Sequence, residues 1–178
     1  EKIALLEPHA GDFRRDDLFV ELAKAYNQNF QPEKALQLLL SHVFLACEGG
    51  EHAIADQYMY AWFQLGMAKK AAGDWAGCYE LLEKALTLPK SLGSGIWNRC
   101  KYVPYQFHMA ECLEHMGKKE DAQSIYRMIL DIEVEFFSNM HLRELPYYQA
   151  LCAEALGLQQ KAWNIMARAK RDWSFNLD

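Results

Sequence analysis

At 178 residues, 51% hydrophobic and 13% aromatic, the chain has ample apolar side chain for a continuous core, which excludes a disordered polypeptide. Its net charge of -5 and lack of a basic cluster argue against nucleic-acid binding, which needs grouped Lys and Arg to neutralise phosphates. No apolar run approaches the ~20 residues of a membrane span, and no charged-then-apolar leader opens the sequence.

In chain order the elements read as helices throughout. Ile3, Leu5 and Leu6 fit the end of a helix, and an opening Glu1 in place of Met fits an excised fragment. The first full helix is expected over Arg15 to Asn27, with Asp12 or Asp16 as its cap. Pro32 opens a second helix at its first turn, where a missing amide costs nothing, and that helix continues to about Val43. A third covers Ala55 to Ala72 and stops at Gly73. Asp74 caps a fourth, which ends before Pro89. A fifth spans Pro104 to Met116 and breaks at Gly117. A sixth starts near Lys119 and extends to Phe137. Pro146 sits in the first turn of a seventh, which ends at Gly157, and an eighth runs from Gln159 to Trp173. The short basic stretch Ala167 to Arg171 closes that last helix, where cations favour the helix dipole.

A pattern of small and large apolar residues recurs four times along these helices. Its copies begin at Leu22-Ala23, Leu65-Gly66, Met109-Ala110 and Gln149-Ala150. The small residue of each lies twelve positions before Ala35, Cys78, Ala122 or Ala162. This spacing resembles the tetratricopeptide repeat, a helix–turn–helix unit of about 34 residues. The resemblance implies an all-α fold: one domain over residues 1–178, a right-handed α-α superhelix of about four helix pairs with long loops between them. Ala23, Gly66, Ala110 and Ala150 succeed one another at 43, 44 and 40 residues. The excess falls between copies, at Leu45 to His52, Lys90 to Asn98 and Phe137 to Leu145, and long ordered loops more often carry function than short ones.

Five cysteines without a CxxC pair point to reduced thiols and a cytoplasmic setting. Cys78, Cys112 and Cys152 replace small residues where helices approach closely, and Cys47 and Cys100 lie in connections. His108, Cys112 and His115 stand on one helical stripe with zinc-ligand chemistry, but Cys112 is already accounted for as packing. The paired carboxylates Glu48 with Glu51, and Asp131 with Glu133 and Glu135, read as solvated faces rather than acid–base pairs. No metalloprotease, nucleophile-elbow or phosphate-loop motif occurs. No catalytic residue, metal or cofactor is therefore assigned.

The loops carry a second resemblance. Arg15-Asp16-Asp17-Leu18, Tyr26-Asn27, Glu48-Gly49-Gly50-Glu51, Gln57-Tyr58 and Leu92-Gly93-x-Gly95 are similar to one group of large bacterial proteins. Those proteins place an N-terminal domain of unknown function before tetratricopeptide repeats and have a proposed link to carbohydrate use. The chain departs from the group at Cys47, where an aromatic is expected, and at Ser94, where Glu is expected.

Two surfaces emerge as sites. Trp62 and Tyr26 fit core positions. Tyr60, Phe63, Met67 and Lys70 share the other stripe of the third helix, which in this repeat faces the inner, concave surface. Lys24, Asn27, Phe107, Glu111 and Tyr147 occupy the matching stripe elsewhere. This mixture suits a peptide, a second subunit in a homodimer, or a neighbouring domain of the same parent chain. The expected function is thus a non-catalytic interaction or scaffolding module. An alternative is a small-ligand, carbohydrate-type site at the loop edge, formed by Glu48, Gly49, Gly50, Glu51, Trp97 and Asn98. A third reading is a support or dimerisation region for a separate catalytic domain.

Overall fold

The computed structural model describes residues 1–45, 51–93, 99–133 and 144–174, and among these there is no strand. Two compact units divide the chain at Trp97 and Asn98. Unit 1 holds α1 (Lys2–Leu6), a 3-10 turn over Glu7–Asp12, α2 (Asp16–Gln28), α3 (Pro32–Leu40), α4 (Glu51–Ala71), α5 (Trp75–Leu86) and a short 3-10 turn over Lys90–Leu92. Unit 2 holds a 3-10 turn over Arg99–Tyr102, α6 (Val103–His115), α7 (Lys119–Leu130), α8 (Leu145–Ala155) and α9 (Gln159–Ser174).

The same packing rule builds each unit. In unit 1, α2 pairs with α3 and α4 with α5, while α4 also lies against both helices of the first pair. In unit 2, α6 pairs with α7 and α8 with α9, and α8 lies against both α6 and α7. The fold is therefore all-α, assembled from tetratricopeptide-like helix pairs. The small residues make the close approach within each pair. Ala35, Cys78 and Ala122 are wholly buried and Ala162 is 3% exposed. At the partner position a Cβ on Gly66 would stand 3.3 Å from Leu82 Cδ2, tighter than side chains usually meet. Leu39, Leu82 and Tyr126, sixteen residues beyond the small residue, fill each core. Each contributes about 1.5–3 kcal/mol by burial.

The hairpin turns share one geometry. The backbone amides of Gln31, Asp74, Lys118 and Leu158 reach back to the carbonyls of Tyr26, Lys69, Leu113 and Ala153 at 2.8–3.0 Å. This closure needs a left-handed residue just before the bonding amide. Gly73, Gly117 and Gly157 supply it at φ of 77°, 79° and 75°. In the first hairpin Phe30 occupies that place, at φ 54°.

Several helix ends differ from the sequence expectation. Arg15 caps α2 without a side-chain bond, because Asp16 is engaged elsewhere. Helix α3 stops at Leu40, where the Ser41 hydroxyl donates to the Leu38 carbonyl and His42 turns away. Helix α4 starts at Glu51, four residues before the expected Ala55. Helix α7 ends at Leu130 rather than extending toward Phe137, since Gln149 of α8 donates to the Ile129, Leu130 and Ile132 carbonyls at 3.0–3.4 Å. Asp74 does cap α5, accepting the Gly77 amide at 2.9 Å.

Candidate functional site

On the α4 stripe Tyr60 is exposed, while Phe63, Met67 and Lys70 are half-buried. Tyr60, Phe63, Met67 and Lys70 follow one another at helical spacing along a single face. Tyr60 is 44% exposed and Phe63 half-buried, and their rings stack with centroids 6.5 Å apart and planes 16° from parallel. Met67 and Lys70 are half-buried and Lys24 on α2 is exposed. Trp62 points the other way, half-buried against Tyr58 and beneath the Lys84 ammonium, as a packing residue would.

Asn27 does not belong to that surface. It is 1% exposed, and its amide nitrogen donates to the backbone and side-chain oxygens of Gln57 at 2.9 and 3.1 Å. Gln64 in turn donates to the Asn27 carbonyl at 2.8 Å. This buried amide network ties α2 to α4 and takes up the Asn27 amide nitrogen, while its Oδ1 is enclosed without a hydrogen-bond partner. Sequence reasoning overlooked Gln57 and Gln64 in this role. Their only signal was that both fall on the α4 side facing α2, interleaved among apolar residues.

In unit 2 the stripe is altered likewise. Phe107 is 7% exposed and packs on Tyr126 and Tyr148 at 5.8 and 5.5 Å, so it is core rather than contact surface. Glu111 is half-buried and its carboxylate meets Nδ1 of His108. Tyr147 stays 50% exposed against the edge of Tyr148. Burial first, and then the hydrogen bond to Glu114, hold the Tyr126 phenol well above its ordinary pKa, so it donates as a neutral hydroxyl. Burial also pushes the Cys152 thiol up to about 12, which leaves it an inert packing group. Cys112 is wholly buried, and among the described residues no group of three His, Cys, Asp or Glu side chains is arranged to hold a metal ion. Cys78, Cys100, Cys112 and Cys152 are not joined in disulfides, while Cys47 lies outside the described residues.

Of the loop-edge residues, Glu48, Gly49, Gly50, Trp97 and Asn98 lie outside the described residues, and Glu51 is described only as the first residue of α4. The bases of the two loops are described, and they meet within unit 1. The Phe44 amide donates to the Ser91 carbonyl at 2.8 Å. Asp16 holds the first base twice, through His42 Nε2 at 2.8 Å and the Leu45 amide at 3.3 Å. His42 stacks on Phe19 at 4.1 Å, and Phe44 closes the cluster edge-on. Nothing in the spacing of Asp16 and His42, 26 residues apart, announced this clasp.

Residues 105–132, which cover most of α6 and all of α7, match a tetratricopeptide-repeat family model. Among solved structures, the chain is similar to the crystal structure of MamA, at 14% identity over 98% of this chain and 88% of that one, with a TM-score of 0.46. It is also similar to the nearly identical TPR-like repeats of a Podosopora anserina chain named as a kinesin light chain, at 17% identity, 98% and 86% coverage, and a TM-score of 0.46. The helix pairing of each unit carries the fold assignment without them. No described helix is long and apolar enough to cross a membrane.

Proposed function

We propose that the chain is a non-catalytic protein-interaction module whose unit 1 takes an extended peptide along α2 and α4. The observation that carries this reading is the stacked Tyr60–Phe63 pair, which remains partly in solvent on an otherwise well-packed helix. Partly exposed aromatics on a rigid scaffold are the usual anchors of a protein interface, because they offer large contact area with little rotamer entropy to lose. Met67 adds an adaptable apolar contact, Lys70 brings positive charge to the same stripe, and Lys24 is an exposed cation on α2. The complementary ligand is a peptide with an apolar or aromatic anchor followed by carboxylates. A cytoplasmic setting within a larger bacterial protein, and a neighbouring domain as the natural ligand, belong to the same proposal. The carbohydrate alternative rests on loop residues outside the described set.

The test is capture from the source cell by the intact chain and by a Tyr60→Ala/Phe63→Ala variant. Both residues are partly exposed, so melting should change little while capture of a discrete partner is lost. Undiminished capture by the double variant would remove unit 1 as the binding face.

A further inference from the structure

We draw no further inference here: the strongest candidate, the exposed surface patch of Trp163 and Met166 on the outward face of α9, carries nothing because nothing in the structure shows what covers it.

Discussion

At the scale of single residues, Phe30 departs most from its own repeat. It takes the left-handed position that glycine holds in the other three hairpins, and its ring is 82% exposed. A side chain in that region meets the following carbonyl oxygen, and no packing offsets the strain. Phe30→Gly should therefore stabilise the chain by about 1 kcal/mol in chemical denaturation; a lower midpoint would show that the ring makes a contact worth more than the strain. Asn27→Ala should act oppositely. It leaves the Gln57 oxygens without their donor, costing about 1–3 kcal/mol, and should not alter ligand capture beyond that loss of stability. Legibility in the sequence divides between these two residues. The register alone marks Phe30, since it lies seven positions after Ala23 as Gly73 does after Gly66. It does not mark Asn27 as internal, because an amide on a helical stripe looks the same whether it faces a ligand or Gln57. Only the neighbouring helix decides.

At the scale of elements, the recurrent small residues fix how closely paired helices approach. Ala122→Leu should force α6 and α7 apart and cost about 1–3 kcal/mol, read from denaturant midpoints. Their burial was legible because the twelve-residue interval is a local property of two helices and a tight turn. Helix ends were less legible. The endings of α3 and α7 depend on His42 meeting Asp16 and on Gln149 meeting three carbonyls, contacts between residues distant in sequence. The α5 cap also sets a pH dependence. The Lys69 hydrogen bond, followed by the Gly77 amide, holds the Asp74 carboxyl below its ordinary 3.8. A lowered folded-state value means this contribution is complete above the unfolded value and is lost as pH falls through the folded one. Asp74→Asn should flatten the decline in melting temperature on the acid side of pH 4 while leaving the neutral-pH trend unchanged.

At the scale of the molecule, one repeat rule serves two units, and side-chain choice gives them different surfaces. Unit 1 exposes aromatic and cationic groups on α2 and α4. Unit 2 buries Phe107, keeps Glu111 against His108, and leaves Trp163 exposed on α9. Buried tyrosines add an alkaline limit. Burial, and then the bond to Glu7, push Tyr26 up to about 12. A raised value means that stability is complete below the ordinary 10 and is lost as pH rises toward 12, so alkaline unfolding should accompany the appearance of tyrosinate absorbance. The central claim is that ligand meets the Tyr60–Phe63 stripe, and site-specific photo-crosslinking tests it most directly. A benzophenone side chain at position 60, expressed in the source cell, should yield a discrete polypeptide adduct that is lost when Phe63→Ala is added. The same probe at Val43, exposed away from the stripe, should not yield that adduct. Equal adducts at 43 and 60, or none at 60, would contradict the account.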